Sequence, residues 1–231
     1  MARPSDAMAP AAPIDADGLT VAELRLALAP RIAAAAVFDG WTRAAVATAA
    51  GETGIDPDVA AYAFPAGAMD MIAAWIAQID EAMARALAPE ALADLPAHKR
   101  IRRLLHFRFD ALAGQEEALR RALAIMAMPQ NALRTLRLGW RSADAMWRLA
   151  GDSATDYNHY TKRAILAGVY AATLAVFVDD QSEGKAETLA FLDRRLAGVG
   201  RLGKARARIP GTGGEHFSMV RLLGRLRYPA R

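Results

Sequence analysis

Apolar positions recur along this chain with the spacing of helices, and strand signals are nearly absent. β-Branched residues are sparse and scattered, whereas Ala, Leu, Arg and Met, which favour helices, dominate. Thr20 and Glu23 have the spacing of a capping box, which predicts a helix that begins there, runs to Phe38 and is kinked or divided at Pro30. The pattern therefore predicts an all-α fold.

The segment after the first helix has the proportions of a helix-turn-helix. We expect a helix-turn-helix-like unit over 19–66, after a disordered leader over 1–18 that is rich in Ala, Pro and Asp. Phe64 and Pro65 close this unit. Its expected segments after the first helix are a helix over 42–50, a turn over 51–55 and a helix that begins at Pro57.

Longer helical patterns fill the middle of the chain and are separated by Gly and Pro stop signals. We expect them to pack as a helical bundle over 67–200. After Gly200 the composition changes to Gly, Arg and Pro, which predicts a basic linker over 201–215 and a last helical segment over 216–231. The expected bundle helices cover 68–87, 96–113, 115–128, 131–150, 153–178 and 185–199.

The last segment is a basic amphipathic helix, with apolar residues on one side of its helical wheel and arginines on the other. Such a helix is typical of a membrane interface, where apolar burial and attraction to anionic lipid add together. Packing on the bundle or on another subunit is the alternative. The predicted membrane-binding residues are Met219, Val220, Arg221, Leu222, Leu223, Arg225 and Leu226.

Charge is distributed unevenly along the chain. Residues 44–84 include six carboxylates and no Lys or Arg, although they cover most of the helix-turn-helix. Because duplex affinity comes mainly from cations that neutralise phosphates, this composition disfavours specific DNA binding. After Asp193, ten Lys or Arg residues against the single acid Glu215 give 10 − 1 = +9, so this end of the chain attracts an anionic surface.

The chain offers little catalytic or metal-binding chemistry. It has no cysteine, and its four histidines are dispersed, without the spacing of a zinc or di-iron site. Gly198, Gly200, Gly203 and Lys204 spell a phosphate-loop motif, but the strand and helix that must flank such a loop are not predicted. We therefore expect no catalytic residue, no metal and no cofactor.

The cellular location is predicted from what the sequence lacks. No apolar run approaches the roughly 20 residues that a membrane span needs, and the first residues do not resemble a signal peptide. We therefore expect a cytoplasmic protein that is peripheral on the inner face of the cytoplasmic membrane.

Methionines and aromatic residues lie on successive helices of the predicted bundle, among them Phe107, Met126, Trp147 and Tyr170. Such residues are typical of a packed core. Mixed with many alanines on neighbouring helices, they also favour an apolar cavity, where bundle proteins often bind ligands. Composition alone does not decide whether these residues form a packed core or line a cavity.

One stretch of the bundle is distinctive: the run GDSATDYNHYTKRAILAGVY over 151–170, with Trp140, Asp144 and Trp147 upstream. This stretch resembles the coenzyme Q-nine family, the lipid-binding accessory proteins of ubiquinone biosynthesis. The resemblance extends over 19–196 and is most specific in the second half of that range.

The resemblance implies a tetracycline-repressor-like fold, in which a helix-turn-helix precedes a ligand-binding bundle that dimerises through its last long helices. It implies a non-enzymatic protein that binds an isoprenoid lipid in the bundle and takes a ubiquinone precursor from the membrane. That precursor is then presented to the demethoxyubiquinone hydroxylase. The lipid-binding residues predicted on this basis are Phe107, Met126, Trp147, Leu166 and Tyr170.

The partner-binding surface of the family includes the pattern D-x-x-x-Y-x-x-R, which here is Asp156, Tyr160 and Arg163. His159 stands where the family has an aromatic residue, often Trp, and joins the predicted partner-binding set. The alternative function for the same fold is a transcriptional regulator with an apolar effector. The missing cations of the helix-turn-helix distinguish the two, because a regulator needs cations to bind DNA.

Overall fold

The computed structural model describes residues 18–152 and 157–207, and every regular element of these residues is helical. The α-helices are α1 (Val21–Asp39), α2 (Arg43–Thr53), α3 (Pro57–Tyr62), α4 (Ala68–Ala86), α5 (Ala97–Leu112), α6 (Glu116–Met126), α7 (Ala132–Leu149), α8 (Tyr157–Phe177) and α9 (Ala186–Ala207). Single 3₁₀ turns at Pro89–Leu92, Pro129–Asn131 and Glu183–Lys185 precede α5, α7 and α9. The predicted all-α fold is confirmed.

In the described part of the chain, no helix is both long enough and apolar enough to cross a membrane.

Helix α1 begins with the predicted capping box. The backbone N–H of Glu23 donates to Thr20 Oγ1 at 3.3 Å, and the backbone N–H of Thr20 donates to Glu23 Oε2 at 2.8 Å. The helix continues through Pro30 and is not divided there. Leu28 and Ile32 on either side of the proline are fully buried, so tertiary packing holds this turn in spite of the hydrogen bond that proline cannot make.

The helix-turn-helix and the bundle share one hydrophobic core. Helix α1 packs against both α2 and α4. Trp41, in the turn before α2, donates its indole N–H to the carbonyl oxygen of Ala118 at 2.9 Å. Its ring lies 5.3 Å from the ring of Trp75 on α4. The units are therefore joined by buried contacts and not by a free linker.

Helix α8 packs between α7 and α9. Helix α9 continues to Ala207, so the prediction that this helix ends at 199 and that a linker begins at 201 is wrong. Glycine in a helix interior costs only about 1 kcal/mol relative to alanine, so Gly198, Gly200 and Gly203 do not suffice to end the helix. The predicted last helix, over 216–231, lies outside the described residues.

The turn between α8 and α9 is held by Asp180, whose side chain is almost fully buried. Its carboxylate accepts hydrogen bonds from the backbone N–H groups of Ser182 and Thr188, each at 2.8 Å. Burial acts to raise the pKa of Asp180, but these bonds and those from the two hydroxyls outweigh it and hold the pKa well below its usual range. The buried carboxylate fixes the approach of α9 to α8.

Candidate functional site

An apolar cavity of about 600 Å³ lies between helices of the bundle and is open to solvent where Ala164, Gly168 and Ala171 of α8 are exposed. Helices α4 to α8 supply its walls. Leu136 of α7 is 69% exposed and also lines the cavity, which places the opening beside this part of α7. Apolar wall residues include Ile72, Trp75, Ile79, Leu112, Leu123 and Met126.

Small residues on one face of α8 create this space. Ala164, Ala167, Gly168 and Ala171 all line the cavity and recur at the three- and four-residue spacing that places them on one side of a helix. Gly139 of α7 also lines it, and a Cβ built at Gly139 or Gly168 would meet no atom within 4 Å. A longer side chain on this face of α8 would occupy the cavity.

One charged group interrupts the apolar wall. Arg108 of α5 is 1% exposed, and its Nη1 pairs with the carboxylate of Asp80 on α4. The hydroxyl of Ser142 donates to the second oxygen of that carboxylate at 2.9 Å, and the Tyr170 ring lies 4.8 Å from the Arg108 Cζ. Burial acts to lower the pKa of Arg108, but Tyr170 and Asp80 outweigh it and raise that pKa, so the guanidinium keeps its charge.

An exposed aromatic surface adjoins the cavity. Tyr160 is 62% exposed, and its ring lies 6.0 Å from that of Trp140, which lines the cavity, and 5.1 Å from that of His159. The predicted partner-binding residues Tyr160 and His159 are thus next to the cavity wall. Asp156 lies outside the described residues, as do the predicted membrane-binding residues over 219–226.

Arg163 is not part of this surface. Its side chain is 2% exposed, and it donates to Asp144 Oδ1 at 2.6 Å and to Asp152 Oδ2 at 3.1 Å. It also donates to the carbonyl oxygen of His159 at 3.1 Å. The prediction that Arg163 faces a partner is therefore wrong about its orientation, because two carboxylates hold its charge inside the protein.

Comparison with known proteins identifies the family that the chain resembles. The family model described as COQ9 matches residues 132–203, from α7 into α9. "Ubiquinone biosynthesis protein COQ9, mitochondrial" of Rattus norvegicus is 34% identical over 181 residues, which cover 75% of this chain and 58% of that protein. The predicted resemblance to the COQ9 family is confirmed. The Homo sapiens COQ9 protein is 33% identical over 181 residues, or 75% of this chain and 57% of its own length. The chain thus spans little more than half the length of these COQ9 proteins.

A solved structure shows the same fold. The TetR transcriptional regulator from Nitrosomonas europaea ATCC 19718 superposes with a TM-score of 0.61. It is 21% identical in sequence, and the match covers 78% of this chain and 99% of that one. At this identity the likeness concerns the fold alone. It confirms the predicted tetracycline-repressor-like fold for this COQ9-like chain.

The predicted cellular location is wrong. From the sequence we expect a cytoplasmic protein on the inner face of the cytoplasmic membrane. The COQ9 relatives from Rattus norvegicus, Homo sapiens and Bos taurus are all named as mitochondrial proteins, which conflicts with that location. The absence of an apolar signal segment, on which the prediction depended, did not show where such relatives reside.

Of the five predicted lipid-binding residues, Met126 and Tyr170 line the cavity. Phe107, Trp147 and Leu166 are not among its wall residues, so their assignment to the cavity is corrected. Helical geometry gives the reason for Leu166: at 100° per residue it points well away from the face formed by Ala164, Ala167, Gly168 and Ala171, and it is buried in the core instead. Trp147 lies beside the Lys162 ammonium group, 5.3 Å from its ring centroid.

The charged group of the cavity was missed in the sequence analysis. Arg108 stands between Leu104, Leu105 and Phe109, Leu112, at spacings that place it on the apolar face of α5. A lone cation in that position requires a buried partner or a ligand. This mismatch between the residue and the face it occupies was the available signal.

The glycine-rich motif adds no site. Gly198, Gly200, Gly203 and Lys204 all lie within α9, and not in a loop between a strand and a helix, so they do not form a phosphate loop. Among the residues that the structure describes, no cluster of three His, Asp or Glu side chains could hold a metal ion.

Proposed function

We propose that this chain acts in ubiquinone biosynthesis as a non-enzymatic lipid-binding protein, which holds an isoprenoid quinone precursor in its bundle cavity. The cavity is the observation that carries this proposal. Its volume of about 600 Å³ falls within the range of small-molecule sites, and its walls are almost entirely apolar. Similarity to proteins named for ubiquinone biosynthesis supports the choice of lipid class.

Organic extraction and mass spectrometry of the purified full chain test this proposal. An isoprenoid quinone or quinone precursor that copurifies in near-stoichiometric amount is the expected result. Each methylene group that enters the cavity contributes roughly 0.8 kcal/mol, so a polyprenyl chain should survive purification. A protein that is free of lipid, and that takes up none from vesicles containing ubiquinone, would contradict the proposal.

The exposed aromatic surface at Tyr160 supports the second step, presentation of the lipid to the demethoxyubiquinone hydroxylase. Exposed tyrosines contribute disproportionately to protein interfaces. Since Tyr160 adjoins Trp140 at the cavity wall, a partner bound there would be close to the stored lipid. Contact of the helix predicted over 216–231 with an anionic membrane and formation of a homodimer complete the proposal, on the grounds given by the sequence and the family resemblance.

We expect the substitution Tyr160→Ala to lower hydroxylase association at least about tenfold, the effect of removing an interface anchor, while the lipid content stays unchanged. Association is measured by surface plasmon resonance with the purified hydroxylase. Tyr62→Ala is the matched control, because Tyr62 is also strongly exposed but lies on α3. Equal affinity of the Tyr160 and Tyr62 variants would exclude this surface as the docking site.

Transcriptional regulation is the second candidate, because the fold is that of a regulator. The surface of α3 argues against it. Its exposed side chains include Asp58, Val59 and Tyr62, and no Lys or Arg occurs over 44–84. We expect fluorescence anisotropy to show no sequence-specific duplex binding by the full chain, and any weak binding through its basic end should be equal for unrelated sequences. A salt-sensitive complex with one selected duplex, resistant to unrelated competitor DNA, would favour the regulator.

A further inference from the structure

One residue of the cavity wall carries a hydrogen-bond donor for which the described residues supply no acceptor. Arg108 lines the cavity and is 1% exposed. Its Nη1 pairs with Asp80, and its Nη2 lies 3.4 Å from the Ser142 hydroxyl. The Nε atom is shielded from solvent and has no hydrogen-bond partner among the residues that the structure describes. A buried donor without an acceptor is rare in folded proteins, and a bound molecule can supply the missing acceptor.

The charge of Arg108 is already compensated. Asp80 carries one negative charge against it, and Ser142 donates its hydroxyl to the same carboxylate at 2.9 Å. The cluster of Arg108, Asp80 and Ser142 is therefore neutral as a whole. An anionic ligand would introduce an unpaired charge into an apolar cavity, which is strongly disfavoured.

One aromatic ring lies against the guanidinium of Arg108, and a second ring packs against the first. The Tyr170 ring covers the guanidinium at 4.8 Å, and the Phe109 ring lies 5.8 Å from that of Tyr170. Both aromatic side chains are buried. A planar head group next to Arg108 would thus meet a flat apolar surface together with one directed N–H group.

We propose that Arg108 is the recognition residue for the head group of the bound lipid, and that its Nε–H donates to an oxygen of a neutral ring, such as a quinone carbonyl or a phenol. This inference rests on the proposed function and names the part of the lipid that the cavity selects. The cavity then distinguishes oxygenated ring lipids from hydrocarbons of the same length, and neutral head groups from carboxylates.

Calorimetry of the full chain with three ligands of similar length tests the proposal: decylubiquinone, decylbenzene and dodecanoate. A hydrogen bond to a charged group corresponds to about a tenfold to hundredfold preference, so wild-type protein should bind decylubiquinone at least about tenfold tighter than decylbenzene. In Arg108→Lys, which keeps the charge and removes the Nε–H, this ratio should fall by at least about tenfold, with little change for decylbenzene. Arg103→Lys, at an exposed position of the same helix, is the control and should keep the wild-type ratio.

A second variant keeps the test decisive if Arg108→Lys fails to fold. Asp80→Asn removes the compensating charge with little change of shape, and it should raise the affinity for dodecanoate relative to decylubiquinone about tenfold. Equal wild-type affinities for decylubiquinone and decylbenzene, or a wild-type preference for dodecanoate, would overturn the role of Arg108 while lipid binding stands. If none of the three ligands binds, the proposed function itself fails.

Discussion

Arg163→Met should lower the free energy of unfolding by about 3 kcal/mol, which in a chain of this size corresponds to a decrease in Tm of roughly 6–12 °C. The guanidinium is 2% exposed and bridges Asp144 on α7 to Asp152 in the turn after it. Methionine keeps the apolar contacts of the side chain but leaves both carboxylates without this partner. The expected loss of stability is at the lower end of the range for breaking a buried ion pair, because Lys162 still contacts Asp152 and Arg148 still contacts Asp144.

The same variant should change the dependence of stability on pH. Burial acts to raise the pKa of Asp152, but hydrogen bonds and charge from Lys162 and Arg163 outweigh it and lower that pKa. A lowered folded-state pKa contributes stability above the ordinary aspartate pKa of about 4, and this stability is lost as the pH falls through the folded value. The loss of stability between about pH 5 and pH 3 should therefore be smaller in Arg163→Met than in wild type.

Arg148→Met is the matched control. Arg148 also pairs with Asp144, at 2.9 Å, but its side chain is 75% exposed, so the variant should change stability by less than about 0.5 kcal/mol. Urea unfolding at several pH values measures both effects. If Arg163→Met leaves stability unchanged and weakens hydroxylase association instead, then Arg163 acts at the partner surface, as the family resemblance implies.

Most of the fold follows from local signals in the sequence. The capping box at Thr20 and the proline at the start of α3 each act within one helical turn, and the helices begin and end near the predicted positions. Two deviations remain. Buried contacts hold α1 together at Pro30, and local propensity cannot report them. Helix α9 continues through three glycines, because the cost of each glycine is too small to end a helix.

The candidate site was less predictable, because a cavity is a property of several helices at once. Composition could not decide between core and cavity for Met126 or Tyr170, both of which line the cavity. Leu166 has the same apolar character but lies on another face of α8. Arg163 had carboxylate partners from two separate segments, and a single pattern of spacing could not reveal them. Of these residues, Arg108 was the one that the sequence could have identified, because it is a cation on an apolar helix face.

The double substitution Ala167→Phe and Ala171→Phe should remove lipid from the protein without unfolding it. Both residues line the cavity on the same face of α8, four residues apart, and only small groups now occupy that face. If the two rings exclude about five methylene groups, each contributing roughly 0.8 kcal/mol, the affinity for the lipid falls by about 4 kcal/mol, close to a thousandfold. Mass spectrometry of the copurified lipid and titration with decylubiquinone measure this loss.

The paired substitution Ala172→Phe and Ala175→Phe is the control for this result. Both alanines are exposed on α8 and neither belongs to the cavity wall, so the control variant adds the same two rings outside the cavity and should retain its lipid. Helical circular dichroism and Tm should be close to wild type in both variants, because the rings of the cavity variant enter existing space and not a packed core. Full lipid content in the Ala167 and Ala171 variant would mean that the lipid binds elsewhere on the protein. This result would contradict the function proposed for the bundle cavity.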